Sequence, residues 1–272
     1  IYNDLRVADA VRKAIPGCCV AMAGPHVTAT IPETFAYCNE HNLTVDIVLN
    51  GEYDRTVQQI SEAIRDGEDW RQFDGIAYQA DDGELITKEK QAAISDLDSI
   101  PFVASIYKRF LDVPAYFMAH TKYPMVTLIS GRGCPYKCTF CQLPQVMYGH
   151  KYRTRSVENF VDEVEYILTE MPDVKGIMLE DDTFTADKKR VQAICQLMVE
   201  RGLTGKIELT CNARANVDLE TLNWMYKAGF RMMCVGFESG DQTTLNKMRK
   251  GTKQDHIQQF VVDAQKAKVK VH

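Results

Sequence analysis

The feature that most constrains this chain is a repeated alternation of strand and helix patterns across residues 124–272. Short apolar runs at 125–130, 176–179, 207–210, 232–237 and, incompletely, from Val269 onward are expected strands. Between them, apolar residues recur at helical spacing. Val157, Phe160, Val161, Val164, Ile167 and Leu168 share one helical face behind Ser156, a favourable N-cap. Val191, Ile194, Cys195 and Met198 follow Asp187 in the same way, and Leu219, Leu222 and Met225 follow Asp218 before Gly229 ends the turn. Parallel neighbours need a long crossover between them, so consecutive strand–helix units predict a parallel sheet, closed as a barrel or doubly wound. In either form, ligands collect at the carboxyl ends of the strands, which is where chemistry is to be sought.

Residues 1–90 carry a shorter version of the pattern. Leu5, Ala8, Val11 and Ile15 predict a helix ending at Pro16-Gly17, followed by a strand over 18–23 and a loop at Gly24-Pro25. A helix with proline in its first turn starts near Pro32. A second strand covers 45–49 and a helix runs through Val57, Ile60 and Ile64, which together predict a parallel α/β sheet. Residues 75–89 alternate around Asp81-Asp82-Gly83, a hairpin signal. Residues 91–123, rich in proline and aromatics, are expected to form an irregular connector whose Phe102, Tyr107, Phe110, Tyr116 and Phe117 seek burial. The expected division is therefore 1–90, a connector over 91–123, and 124–272.

Charge supports the division. Residues 1–123 hold 11 Lys and Arg against 19 Asp and Glu, whereas residues 124–272 hold 21 against 18. The whole chain has a formal charge of −5 and is 45% hydrophobic. That argues against a disordered polymer and against a nucleic-acid binder held by electrostatics, and no apolar run approaches the roughly 18 residues of a membrane span. No secretory leader is visible, and nine cysteines without a disulfide-like spacing suit a reducing compartment, so a cytoplasmic location is expected. The chain starts without Met and stops just as a strand begins, so we expect a fragment truncated at both ends.

Directly after the first strand of the second half stands Gly131-Arg132-Gly133-Cys134-Pro135-Tyr136-Lys137-Cys138-Thr139-Phe140-Cys141. Three thiols on one short loop can converge on a soft metal centre, because thiolates favour zinc, Cu(I) and iron–sulfur clusters. A structural zinc site needs a fourth ligand, for which His150 is a candidate, whereas a 4Fe–4S cluster held by three thiolates keeps one iron open. The basic aromatic run 148–156 is too short, in too acidic a chain, to indicate RNA binding and is expected to form a lid near the cofactor. Cys18, Cys19, Cys38, Cys195, Cys211 and Cys234 fall mostly in apolar patterns and are expected in the core.

The loop resembles the Cys-x3-Cys-x-aromatic-Cys signature of the radical S-adenosylmethionine superfamily, including the aromatic Phe140. The resemblance implies a 4Fe–4S cluster on Cys134, Cys138 and Cys141. It further implies chelation of S-adenosylmethionine at the open iron and reductive cleavage to a 5′-deoxyadenosyl radical. The other strand ends then resemble pocket walls. Glu180-Asp181-Asp182 is similar to the family's segment near the amino group of S-adenosylmethionine; its other reading is a helix cap, a role Asp187 already fills. Arg214 matches a position near the cosubstrate's carboxylate, against an alternative as an exposed ion pair. Gly236-Phe237-Glu238-Ser239-Gly240 resembles the ribose-contacting motif, with Glu238 and Ser239 as cofactor contacts.

In the first half, Gly24-Pro25-His26 resembles the Gly-Gly-Pro-His segment of cobalamin-binding domains that precede such barrels, with Ala23 in place of the first glycine. Gly51-Glu52 is similar to the second loop of that domain. Loops of this kind let backbone N–H groups approach a corrinoid's phosphate tail and amides. The cobalt-ligating Asp-x-His-x-x-Gly motif is not present, and His26 is expected beside the nucleotide tail or as a loop cap.

The implied fold is α/β: part of a flavodoxin-like (Rossmann-type) cobalamin-binding domain, then part of a (βα)6 TIM-like radical S-adenosylmethionine barrel. The implied activity is cobalamin-dependent methyl transfer to an unactivated carbon or phosphorus of a small-molecule substrate, with a donor such as flavodoxin or ferredoxin. A ring-forming or rearranging enzyme with the same cofactors is the first rival, and a corrinoid-carrying or electron-transfer module the second. Methylthiolation of RNA lacks the extra cysteine trio it needs.

Overall fold

The computed structural model describes residues 1–272, which divide into two compact units. Residues 1–94 with 142–149 form the first; residues 95–141 with 150–272 form the second. No helix is long and apolar enough to cross a membrane.

In the first unit the elements run α1 (Tyr2–Ala14), β1 (Ala21–Met22), α2 (Pro25–Ala29), α3 (Ile31–Glu40), β2 (Ile47–Leu49), α4 (Asp54–Asp66), β3 (Ile76–Gln79) and β4 (Leu85–Thr87). The sheet order is β1-β2-β3-β4. Only β1 and β2 are parallel, with Ala21 opposite Ile47; β3 and β4 form the expected hairpin and join β2 antiparallel, so the sheet is mixed rather than parallel throughout. β2 reads as an unbroken apolar run because both its faces are covered. Val48 packs with Leu5, Val27 and Phe35 on one side, and Ile47 and Leu49 with Ile60 and Ile76 on the other. β1 is shorter than expected, and Asp46 secures the chain just before it by accepting from Val20 N at 2.8 Å while pairing with Arg12. Val11 on α1 and Ile15 just past its end are exposed rather than buried.

The second unit contains α5 (Val103–Phe110), β5 (Met125–Leu128), β6 (Gly131–Arg132), β7 (Arg153–Thr154), α6 (Val157–Glu170), β8 (Gly176–Leu179), α7 (Lys188–Glu200), β9 (Glu208–Ala213), α8 (Leu219–Ala228), β10 (Phe230–Val235), α9 (Gln242–Lys247), α10 (Gln254–Lys266) and β11 (Lys270–Val271). Five parallel strands lie in the order β11-β10-β9-β8-β5, so each new strand joins the edge made by the previous one and the order never reverses. One apolar layer unites alternate residues of the strands (Val126, Leu128, Ile177, Leu179, Leu209, Cys211) with α6, α7, α8 and α10. The expected helix starts hold: Ser156 accepts from Asn159 N, Asp187 from Arg190 N and Asp218 from Thr221 N, each at 2.9–3.1 Å. Gly229 ends α8 in the left-handed conformation.

The stretch 91–123 is not a separate connector. From Ser95 it packs as part of the second unit, and its α5 is tied down because Ala104 N donates to the fully buried Glu163 at 3.0 Å, which also pairs with Arg155. Its aromatics do not all seek burial: Phe110, Tyr116 and Phe117 are exposed by more than half. Of the six cysteines outside the thiol loop, Cys38, Cys195 and Cys211 are buried, but Cys18, Cys19 and Cys234 are only half-buried.

Candidate functional site

The thiol loop leaves the end of β5 and is pinned at its base by a two-stranded ribbon in which Gly131 pairs with Thr154 and Arg132 with Arg153. Gly131 is required by space: a Cβ there would lie 2.9 Å from the Tyr152 ring and 3.1 Å from Arg153 O. The next strand end grips the loop three times. Asp181 accepts from Ser130 N at 2.6 Å and Ser130 Oγ at 2.7 Å, Asp182 accepts from Gly133 N at 3.0 Å, and Thr183 Oγ1 lies 3.5 Å from Cys134 Sγ.

Asp181 is a correction to the sequence expectation. Its side chain is fully buried and both oxygens are engaged by Ser130, so it supports the loop rather than facing a ligand. Burial pushes its carboxyl up to about 6, against the opposing pull of the Ser130 hydrogen bonds and of Arg190. Arg190, itself buried, donates to Ser130 Oγ and Ser130 O. Burial also raises Asp182, with the Gly133 amide opposing, and raises the Tyr152 hydroxyl.

The far side of the loop is held by the ends of β9 and β10. Arg214 is not the exposed ion pair of the alternative reading: it is 5% exposed. Its guanidinium stacks 3.7 Å from the Tyr136 ring centre, Nη1 lies 3.6 Å from Cys138 Sγ, and Nη2 donates to Lys250 O and to Thr252 Oγ1. Asn216 Nδ2 donates to the Tyr136 hydroxyl at 3.0 Å, and Thr139 N donates to Met248 O at 3.0 Å. Glu238 adopts a left-handed backbone (φ 66°) and pairs with buried Lys250 Nζ at 2.7 Å. Lys250 Nζ also stands 6.0 Å from the ring centre of Phe140, which is half exposed. Ser239 Oγ accepts from Asp241 N at 3.0 Å, a turn contact just ahead of α9.

All three loop thiols are half-buried, and no disulfide joins any of the nine cysteines. No three Cys, His, Asp or Glu side chains are gathered closely enough for a single metal ion. His150 has its Nδ1 at 2.9 Å from Tyr136 O, so one ring nitrogen is spent on the loop backbone.

In the first unit the two glycine-bearing loops meet. Gly24 (φ 119°) caps α2, with Pro25 at its start and His26 in its first turn, while Gly51 (φ 95°) follows β2. Thr28 joins them, donating to Leu49 O at 3.1 Å and accepting from Gly51 N at 3.3 Å. Glu52 is buried. The Lys90 stem lies over Gly51, and its Nζ donates at 2.6 Å to Val146 O in the π-helical turn Pro144–Tyr148. Thus 142–149, which takes in only the first two residues of the run 148–156 expected as a lid, packs with this unit, whereas 150–156 belong to the second. Sequence reasoning missed Tyr136, Asn216, Lys250 and Thr252. Tyr136 had a signal in its place between two thiols; the other three had none.

The model of the radical SAM superfamily matches residues 128–272, more than half of the chain. An uncharacterised methyltransferase of Pyrococcus horikoshii is 28% identical over 258 residues, covering 92% of this chain and 52% of that protein. The anaerobic magnesium-protoporphyrin IX monomethyl ester cyclase of Cereibacter sphaeroides is 27% identical over 260 residues, covering 93% and 40%. The chain therefore spans about half, or less, of the length of these relatives. Among solved structures, the radical S-adenosylmethionine methyltransferase TsrM of Kitasatospora setae, with cobalamin and a [4Fe-4S] cluster bound, shares the fold. Its TM-score is 0.74 at 15% identity, over 99% of this chain and 51% of that one.

Proposed function

The chain belongs to the radical SAM superfamily, and on that premise we propose that it is the catalytic part of a cobalamin-dependent methyltransferase acting on an unactivated carbon or phosphorus of a small molecule. The observation that carries the reading is the thiol loop: three half-buried cysteines at the carboxyl end of a parallel strand, braced by the two strand ends beside it. Cys134, Cys138 and Cys141 would hold a 4Fe–4S cluster. When bound, that cluster supplies the electron that cleaves S-adenosylmethionine, and the corrinoid serves as methyl carrier.

This chain's own residues do the positioning. Asp182 and Thr183 fix the Cys134 side of the loop, and Arg214 fixes the Cys138 side. Glu238, presented by its left-handed backbone and oriented by Lys250, suits acceptance from ribose hydroxyls, with Ser239 shaping the turn. Phe140, whose ring is half exposed between Cys138 and Cys141 in the loop, would serve as a cofactor contact. Gly24, Pro25, His26, Gly51 and Glu52 form the corrinoid cradle in our reading, supported by the Thr28 link between the two loops. We read the first unit as part of a flavodoxin-like domain and the second as part of a (βα)6 barrel. A single helix layer over strands in unreversed order supports the latter. A flavodoxin- or ferredoxin-type protein is the proposed electron donor.

Anaerobic reconstitution of the full-length protein tests the reading. It should give about four iron per chain, lost in Cys138→Ala, with 5′-deoxyadenosine released under reduction. Tight zinc binding with no iron uptake would overturn it. Methylcobalamin should change its visible absorbance on addition; no change removes the corrinoid half. The match to the cyclase favours one second reading, ring formation with the same cofactors. Transfer of a labelled methyl group to product separates the two.

A further inference from the structure

Arg214 presents an electrostatic problem that the fold alone does not solve. A guanidinium only 5% exposed is costly unless an anion faces it. Its partners are the Cys138 thiol, the Lys250 carbonyl, the Thr252 hydroxyl and the face of Tyr136; none is a carboxylate. Glu238, the carboxylate presented at the end of β10, is paired with Lys250 rather than with Arg214. Among these partners, only Cys138 can become an anion at neutral pH, and it does so when it ligates metal.

We propose that Arg214 is a positioning residue for the cluster, donating a charge-assisted hydrogen bond to the Cys138 thiolate and raising the cluster's reduction potential. The inference rests on the cluster reading above and goes beyond it by assigning the guanidinium to a thiolate rather than to the cosubstrate's carboxylate. Three features support that assignment. The Nη1–Sγ separation of 3.6 Å is a hydrogen-bonding distance for sulfur. Nη2 is already committed to Lys250 O and Thr252 Oγ1, and the plane is stacked on Tyr136, which Asn216 holds through its hydroxyl, so the fork cannot turn freely toward a ligand. Finally, reduction adds negative charge to the cluster and its sulfurs. A fixed cation in a dry setting stabilises the reduced state more than the oxidised one, and hydrogen bonds to cluster sulfurs are a recognised control of potential.

The test is the midpoint potential of the reconstituted full-length protein without S-adenosylmethionine, titrated with EPR detection for wild type, Arg214→Gln and Arg214→Lys. The glutamine variant, which removes the charge, should lower the reduced-to-oxidised ratio at a fixed poise about tenfold, equivalent to about 59 mV for one electron. The lysine variant should fall between it and wild type. Should Arg214→Gln lose its iron, the lysine variant decides, and its potential must lie below that of wild type. Unchanged potentials with weakened S-adenosylmethionine binding would assign Arg214 to the cosubstrate and overturn the inference. Loss of iron from both variants would reduce Arg214 to a folding role and also overturn it. Failure of wild type to bind iron would instead sink the cluster reading.

Discussion

Asp181 shows how far a residue's surroundings can reverse its expected role. Beside Glu180 and Asp182 it looks like part of an acidic pocket wall, yet it is the member of the three that is fully buried, bound to the first residue of the thiol loop's base. Its folded carboxyl titrates at about 6 against an ordinary 3.8. The folded state therefore holds the proton more tightly. This contribution to stability is fully present below about pH 4 and is lost as the pH rises through about 6. Unfolding free energies from urea titrations between pH 4 and 7 should fall by an amount on the order of 2 kcal/mol from this group, a slope that Asp181→Asn should flatten. The asparagine variant should also be less stable at pH 5, because its amide cannot accept from both Ser130 donors.

At the scale of elements, the strand starts are as constrained as the strand ends. Gly176 opens β8 where a Cβ would lie 2.1 Å from the carbonyl oxygen of Lys122, a backbone atom that cannot swing aside. Gly176→Ala should cost about 3 kcal/mol or more in urea unfolding by forcing the 118–124 segment away. The helix starts are milder. Removing the Ser156 cap of α6 as Ser156→Ala should cost about 1 kcal/mol in the same assay, since Asn159 N then relies on water. These caps were readable in the sequence because a cap is a local event: a polar side chain satisfying an amide three residues on. β1 was less readable. Its residues pattern as a strand over 18–23, but a ladder needs a neighbour for each residue, and β2 pairs with only Ala21 and Met22.

At the scale of the whole molecule, the boundary matters most at residues 95–123. Asp98 accepts from Ser156 N at 2.8 Å, Ala104 N donates to Glu163, and the Tyr107 hydroxyl is 3.1 Å from Thr127 Oγ1. A fragment covering 95–272 should unfold cooperatively in urea, whereas one covering 124–272 should show a broadened, earlier transition because Glu163 loses a buried partner. The sequence by itself determined the order of strands and helices, the caps, and the position of the thiol loop with its three cysteines. Those depend on residues within a few positions of one another, or on a periodicity that one face of one element must satisfy. Only the tertiary structure decided that α5 belongs with the second unit, that Thr28 ties two loops together, that Asp181 braces rather than binds, and that Arg214 faces a thiol. Each of those depends on groups tens of residues apart meeting in a space from which water is excluded. There a buried charge must find its partner among whatever the fold brings near.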